Sequence, residues 1–256
     1  MSEPVEKKEG LKKELGLFSV FALATGTTLS GGFFLLPGVA LAEYNAGPAI
    51  ILAYLLAALP LIPAMLCLVE LSTAMPKAGG GYYFLDRAMG PLIGTIGGLG
   101  TWIALMMKTA FALIGMGAYL ALLSESLQQH VVLLAVALAL IFGCLNLAGA
   151  KKASAMQGYL VVGLLAILAV FLVGLKEFPP SQVFNPQFLD SGWDSILATS
   201  GMVFVSYVGI SKVASLAEEV KNPDRNLPLG VGLSLVVCIS IYAVGTYLMV
   251  GVLGTR

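Results

Sequence analysis

Long apolar segments dominate the sequence and leave too little polar surface for a water-soluble fold. A helix needs about 20 apolar residues to cross the hydrocarbon core of a bilayer. The chain is 58% hydrophobic and 11% charged, whereas soluble domains carry roughly 25% charged residues. The sequence therefore predicts an all-α integral membrane protein. Its apolar segments, numbered here as spans 1 to 7, are residues 15–42, 47–75, 92–123, 131–147, 153–175, 196–217 and 228–253.

The composition also excludes several classes of function. Lysine plus arginine total 14 and aspartate plus glutamate total 14, so the basic excess of a nucleic-acid binder is missing. The three cysteines stand singly in apolar segments beside one histidine in the chain, so we expect no metal site, disulfide framework or cofactor. No nucleophile lies near a base at membrane depth, since His130 falls at the end of a span. We therefore expect a protein that is not an enzyme.

The positions of lysine and arginine predict the orientation in the membrane. Cytoplasmic loops carry an excess of these residues. With the N-terminus inside, ten of the 14 fall on the cytoplasmic side and two outside, while Lys108 and Lys212 lie within spans. The prediction is a multi-pass protein of the cell membrane with a cytoplasmic N-terminus.

Spans 1 and 6 contain runs of glycine and hydroxyl residues that predict interrupted helices. These runs, at residues 25–32 and 206–209, lower helix propensity and offer the backbone competing hydrogen bonds. Each run taken alone is equally well explained by close helix packing, because small residues are common at membrane helix interfaces. The two spans are five apart, however, as in a pair of inverted five-helix repeats. Paired interrupted helices indicate the midplane site of a secondary transporter.

Three motifs resemble those of the amino acid-polyamine-organocation superfamily of permeases. They are SGGFFLLPG at residues 30–38, AMPKAGGGYY at residues 74–83 and AEEVKNPDRNLP at residues 217–228. We interpret the second and third motifs as cytoplasmic gate structure, although solvated loops would explain their charges almost as well. In the third motif we expect Asn222-Pro223 and Leu227-Pro228 to force a turn before span 7.

The resemblance implies a leucine-transporter-like fold of two inverted five-helix repeats. It divides the chain into a cytoplasmic segment at 1–14, a first repeat at 15–175, an outer loop at 176–195 and the start of a second repeat at 196–256. Family members have more helices than the seven predicted here. We therefore expect remaining transporter helices to be needed beside this chain for transport.

The resemblance also implies an amino acid site at the two interruptions. A half-helix beginning near Gly31 would offer free backbone N–H groups to a carboxylate. Carbonyl groups freed around residues 26–28 and 205–208 would accept hydrogen bonds from an ammonium group. The G-S-G of the family reads Ser-Gly-Gly here, which moves the hydroxyl by one position. The predicted substrate-binding residues are Thr27, Thr28, Ser30, Gly31, Gly32, Val205, Ser206, Val208 and Gly209.

The charged residues within the spans limit the type of substrate and indicate how transport is coupled. Spans 1, 3 and 6 carry no carboxylate deep in the membrane, so a cationic substrate would lack a partner. We therefore expect a neutral amino acid. Lysine within a span is a functional candidate by default. We expect Lys212 to take the place of a coupling cation, with H+ or another ion as partner, while Lys108 alternatively pairs with backbone carbonyls or with Glu70.

Together these features predict a secondary active amino acid transporter that works by alternating access in the lipid bilayer. The alternative is a channel-like or structural membrane subunit of a larger assembly. Uptake that saturates with substrate concentration would favour the carrier, and unsaturable flux would favour the channel.

Overall fold

The computed structural model of the protein describes residues 12–43, 47–122, 127, 129–147, 150–174, 189 and 192–253. Across these residues the fold is helical, with one isolated parallel bridge between Leu15 and Val220 and no β-sheet. The described α-helices, numbered in chain order, are α1 Leu17–Phe34, α2 Leu36–Glu43, α3 Ile50–Ala58, α4 Leu61–Ala74, α5 Gly81–Met89, α6 Pro91–Ala121, α7 Val131–Leu147, α8 Ala150–Gly174, α9 Gly192–Tyr207 and α10 Pro223–Leu253. A 3-10 helix, Val208–Glu219, follows α9 directly.

The described residues contain six helical stretches that are long and apolar enough to cross a membrane. They correspond to spans 1, 2, 3, 5, 6 and 7, and confirm the prediction of a multi-pass, all-α membrane protein. Span 4 is the apolar helix α7, whose 17 residues place it at the short end of the range for a spanning helix. The six stretches are Leu17–Glu43, Gly47–Ala74, Pro91–Ala121, Lys152–Val170, Gly192–Glu219 and Pro223–Gly251.

The interruption predicted within residues 25–32 of span 1 is wrong. Helix α1 continues through this run and ends at Phe34, and the amide of Leu35 donates to the Gly31 carbonyl at 3.0 Å. The Thr28 hydroxyl bonds back to the Ala24 carbonyl, an i to i−4 contact that an intact helix accommodates. The chain departs from the α-helix at Leu35, just before Pro37, which has no amide hydrogen to donate. The predicted half-helix beginning at Gly31 is therefore absent.

The interruption predicted in span 6 is present. Helix α9 ends at Tyr207, and the tighter 3-10 helix begins at Val208 within the predicted run 206–209. A 3-10 segment of this length is uncommon, because its hydrogen-bond geometry is poorer than that of an α-helix. At this change of helix type the backbone of span 6 departs from regular α-helical hydrogen bonding.

Proline residues account for two further differences from the prediction. The α-helix of span 2 is interrupted between α3 and α4 at Leu59 and Pro60, which was not predicted. The turn expected at Asn222-Pro223 is present, since Asn222 has a φ of 45° and α10 begins at Pro223. The turn expected at Leu227-Pro228 is wrong, because α10 continues through Pro228. Pro228 lies inside α10, where it cannot donate the hydrogen bond that another residue would make to the Asp224 carbonyl. Helix α9 also begins at Gly192, before the predicted start of span 6.

Spans 1, 2, 6 and 7 form the core of the molecule. Helix α1 packs against α8, α9, α10 and the 3-10 helix. At the centre lie the fully buried rings of Tyr54, Tyr207 and Tyr242, with the Tyr242 ring centroid 4.9 Å from each of the other two. In contrast, α6, α7 and α8 carry many exposed apolar side chains, such as Met107 and Leu140. An apolar exterior of this kind suits contact with lipid.

Candidate functional site

The candidate site lies where span 1 crosses the change of helix type in span 6. Gly32 of α1 faces Ser206 of α9 so closely that a Cβ atom on Gly32 would lie 2.5 Å from the Ser206 Cβ. A Cβ on Gly209 would overlap the carbonyl oxygen of Thr27. The structure therefore brings the predicted residues of spans 1 and 6 together, and glycine is required there for close packing of the two backbones.

A hydroxyl group joins the two backbones at this crossing. The Thr27 Oγ1 atom lies 2.8 Å from the Gly209 carbonyl oxygen and 2.6 Å from the Leu23 carbonyl oxygen. The Thr27 hydroxyl can therefore donate its proton to a carbonyl of either span. Since an unpaired carbonyl is costly away from water, this contact stabilises the tighter geometry that begins at Val208.

The ammonium group of Lys108 occupies carbonyls that were predicted to bind the substrate. Its Nζ atom donates to the Ser206 carbonyl at 2.9 Å and lies 3.4 Å from the Val205 carbonyl. A change from i+4 to i+3 hydrogen bonding leaves one carbonyl without its partner in the helix, which explains why oxygens at this point can accept from a side chain. Of the two pairings predicted for Lys108, the structure has the one with backbone carbonyls, and Glu70 lies exposed on α4.

The remaining predicted residues divide between the core and two cavities. Thr28 is buried, and Val208 begins the 3-10 helix. Val205 is half exposed, and Lys212 is exposed. The side chain of Ser30 lies outside the described part of the structure.

Two cavities border the crossing of the spans. The first, which we call the glycine cavity, has a volume of about 420 Å³ and is lined by Gly31, Gly32, Lys108, Phe111, Met202 and Ser206 among others. The second, which we call the two-lysine cavity, has a volume of about 510 Å³; its lining includes Thr27, Lys108, Gln157, Gly209 and Lys212. Among the residues that the structure describes, Lys108 alone lines both. Its side chain therefore lies on the boundary between them.

Tyrosine hydroxyls bind carbonyls of span 1, a set of contacts that was not predicted from the sequence. Tyr54 donates to the Gly32 carbonyl at 2.9 Å, and Tyr242 donates to the Thr28 carbonyl at 2.9 Å. Tyr119 donates to the Phe34 carbonyl at 2.8 Å, beside the break at Leu35. A tyrosine within an apolar span is itself a signal, because its hydroxyl needs a partner when buried. These bonds hold span 1 against spans 2, 3 and 7.

The polar motifs after spans 2 and 6 meet at the end of the molecule where span 1 begins. The Ala78 amide donates to the Glu218 carboxylate at 2.9 Å. The Leu15 amide donates to the Glu219 carbonyl at 3.0 Å, and the Lys221 amide donates to the Leu15 carbonyl at 2.8 Å. We call these contacts the terminal cluster. They place the start of span 1, the end of span 2 and the end of span 6 on one side of the bundle.

The fold and site define a multi-pass α-helical membrane protein whose first and sixth spans cross at a glycine contact beside two cavities. The chain belongs to the amino acid permease family, whose model matches residues 15–256. This membership confirms the resemblance noted in the sequence. It also agrees with the prediction of a transporter rather than an enzyme.

Individual relatives cover nearly all of this chain. It is 29% identical to the vacuolar cationic amino acid transporter 2 of Arabidopsis thaliana, over 95% of this chain and 41% of that protein. It is 26% identical to the branched-chain amino acid permease BcaP of Bacillus subtilis, over 96% of this chain and 56% of that protein. A methylthioribose transporter of the same bacterium is 25% identical, with 96% and 57% covered. The chain thus spans about half the length of the curated relatives it matches.

Proposed function

We propose that the protein is an amino acid permease that moves an amino acid with a neutral side chain by alternating access. The observation that carries this proposal is the glycine cavity between spans 1, 3 and 6. Its walls are largely apolar, with Met107, Phe111 and Met202 among them, and the described residues that line it include no aspartate or glutamate. A cationic side chain would enter this space without a partner for its charge. An apolar side chain would bury its surface there.

The names of two relatives support an amino acid as the substrate, but they differ in the type of side chain. One relative is named for cationic amino acids, one for branched-chain amino acids and one for methylthioribose. Because the described residues that line the cavity include no carboxylate, the branched-chain type of substrate is favoured for this chain. Leucine is therefore the first substrate to test.

In this proposal the terminal cluster is the cytoplasmic gate. The positions of lysine and arginine favour a cytoplasmic N-terminus, which would place the cluster on the inner face. The hydrogen bonds from Ala78 to Glu218 and between Leu15 and residues 219–221 tie three spans together there. Release of substrate to the inside would require these contacts to open. The five-helix repeat at 15–175, followed by the start of a second repeat, remains the arrangement that we propose for the domains.

The contacts favour Lys108 among the three residues considered for coupling or gating. Lys108 binds the carbonyls at the change of helix type, whereas Lys212 and Glu70 are exposed. If protons are coupled through Lys108, Lys108→Gln should flatten the dependence of transport on pH. Lys212→Gln should leave that dependence unchanged. The reverse pattern would assign coupling to Lys212.

The test is uptake of radiolabelled leucine by the protein expressed from its complete gene and reconstituted into liposomes. We expect uptake that saturates with leucine concentration and accelerates when the liposomes are preloaded with unlabelled leucine. Flux that does not saturate would instead identify a channel. No flux of any amino acid, from a protein that is folded and correctly inserted, would contradict the proposed function.

A further inference from the structure

The contacts of Lys108 show what kind of group the carbonyls at the change of helix type in span 6 accept. Its Nζ atom donates to the Ser206 carbonyl at 2.9 Å and lies 3.4 Å from the Val205 carbonyl oxygen. The side chain of lysine ends in a primary ammonium group, and an amino acid carries a primary ammonium group as well. These two oxygens therefore suit the amino group of a substrate, and in this structure Lys108 occupies them.

The same oxygens belong to residues at the wall of the glycine cavity. Val205 and Ser206 line this cavity, and so do the two glycines at which the substrate carboxylate is predicted, Gly31 and Gly32. Gly32 faces Ser206 directly, since a Cβ on Gly32 would lie 2.5 Å from the Ser206 Cβ. The carboxylate and ammonium groups of an amino acid are attached to one carbon atom. A substrate held at the glycines would therefore bring its ammonium group to the position that Lys108 occupies.

Two ammonium groups at this position would repel each other. A carbonyl oxygen has two lone pairs, but two cations bound to the same oxygen interact strongly in surroundings of low dielectric constant. Among the residues that the structure describes, none that lines either cavity is a carboxylate that could offset the second charge. Binding of the substrate ammonium therefore requires Lys108 to leave.

The two-lysine cavity offers Lys108 a second position. Lys108 lines this cavity of about 510 Å³ as well as the glycine cavity, and a lysine side chain is a flexible four-carbon chain. Two side-chain amides, Asn146 and Gln157, line the same space. Their nitrogen atoms lie 2.9 Å and 3.5 Å from backbone carbonyl oxygens, which leaves their own oxygens to accept from an ammonium group.

Resting on the proposed function, we propose that Lys108 is a positioning residue that occupies the ammonium site of the empty permease and is displaced by the amino group of the substrate. Without substrate, Lys108 joins span 3 to the carbonyls of residues 205 and 206 in span 6. Substrate binding breaks this contact and frees span 6 from span 3. Lys108 is therefore a competitor built into the protein, and its presence weakens the binding of amino acids.

The test measures equilibrium binding of radiolabelled leucine to the protein expressed from its complete gene and purified in detergent. Lys108→Met removes the ammonium group but keeps a flexible side chain. We expect this variant to lower the Kd for leucine by about tenfold or more, because the substrate no longer has to replace hydrogen bonds of a charged group. If Lys108 only stabilised span 6, its loss would weaken leucine binding or leave it unchanged. Either result would overturn the proposal.

Two variants control for the change of charge. Lys108→Arg keeps a cation and its donors at this position, and should not tighten leucine binding. Lys212→Met removes the other lysine of the two-lysine cavity, whose side chain is exposed. We expect it to change the Kd by no more than about twofold, since exposed charges contribute little. A gain in Lys212→Met equal to that in Lys108→Met would assign the effect to the charge of the cavity and overturn the role of Lys108.

A substrate analogue controls for the change of shape. 4-Methylpentanoate has the carboxylate and side chain of leucine but no ammonium group, so it has no group that replaces Lys108 at the carbonyls. Its affinity is measured by competition with leucine. We expect Lys108→Met to tighten the binding of leucine and not that of 4-methylpentanoate. An equal gain for both compounds would show that the variant merely reshapes the cavity, and would overturn the proposal.

The outcomes separate this inference from the proposed function. Leucine that binds to and is transported by the unmodified protein, with a Kd that Lys108→Met does not lower, would overturn the role of Lys108 alone. Absence of binding and transport of any amino acid by the unmodified protein would contradict the proposed function, and this inference with it. If Lys108→Met does not reach the membrane, Lys108→Gln supplies the comparison, because it lacks the charge while its amide can still donate to a carbonyl of span 6. Lys108→Gln should also lower the Kd for leucine, and an unchanged Kd would overturn the proposal.

Discussion

Thr27 and Gly209 meet backbone to backbone where span 1 crosses span 6. The Thr27 hydroxyl is 2.8 Å from the Gly209 carbonyl oxygen, and a Cβ on Gly209 would overlap the Thr27 carbonyl. The spans can approach this closely because residue 209 has no side chain. This contact supplies a direct test of how the two spans pack.

We expect Gly209→Ala to destabilise the protein by about 1–3 kcal/mol, since the added methyl group must push two backbones apart. The measurement is the thermal unfolding midpoint of purified protein in detergent. Gly201→Ala is the matched control, because its Cβ would meet nothing within 4 Å and it lies in the same span. Equal midpoints for the two variants would contradict the backbone contact.

The neighbouring glycines of span 1 should respond differently to the same change. A Cβ on Gly32 would lie 2.8 Å from the Tyr242 hydroxyl oxygen and 2.5 Å from Ser206, whereas a Cβ on Gly31 would lie 3.3 Å from the Phe111 ring. We expect Gly32→Ala to cost about 1–3 kcal/mol of stability and Gly31→Ala less than about 1 kcal/mol. Unfolding midpoints of both variants test this order. A larger loss in Gly31→Ala would be evidence against the packing described here.

The sequence predicted the fold class because apolar length and composition do not depend on tertiary contacts. It located the change of helix type in span 6, where Ser206 and Gly209 weaken the helix at the contact with span 1. It misplaced the break in span 1, because the glycine and threonine residues of α1 serve packing and local hydrogen bonding while Pro37 ends the helix nearby. Propensity alone does not distinguish a glycine that breaks a helix from one that lets a neighbour approach.

The proximity of spans 1 and 6 could be predicted from the sequence, but the side chains that contact them there could not. The residues of spans 1 and 6 do come together, as the resemblance implied. The occupant of the carbonyls of residues 205 and 206 depends on the position of Lys108, 97 residues or more away in sequence. The tyrosine contacts to span 1 are equally non-local. Such pairings follow from how the helices pack, which a single sequence does not specify.

Tyr242 tests the hydrogen bonds that hold span 1 in the core. Its hydroxyl donates to the Thr28 carbonyl at 2.9 Å, and its side chain is fully buried. Tyr242→Phe keeps the ring but leaves that carbonyl without this partner, so we expect a loss of about 1–3 kcal/mol in stability. Tyr159→Phe serves as control, because Tyr159 is 81% exposed. Unfolding midpoints that do not separate the two variants would show that the buried bond contributes nothing measurable.

The last prediction concerns Glu218, whose carboxylate accepts the Ala78 amide at 2.9 Å. The loop that carries Ala78 also packs on the 3-10 helix, since a Cβ on Gly80 would lie 3.0 Å from the Ser215 amide nitrogen. Glu218→Ala removes the acceptor and should loosen the loop from the helix. Because hydrogen bonds to charged groups contribute about 1.5–3 kcal/mol, the population with the loop detached should rise by roughly tenfold or more.

Accessibility of a cysteine placed at Ser215 measures this opening. The background is a variant in which the exposed cysteines, Cys67 and Cys144, are replaced by serine, while Cys238 is buried and stays. We expect Glu218→Ala to speed alkylation of the new cysteine by about tenfold, reflecting the larger open population. Glu219→Ala is the matched control, because the terminal cluster uses the carbonyl of Glu219, which this substitution keeps. Equal alkylation rates in the two variants would remove the Glu218 carboxylate from the proposed gate.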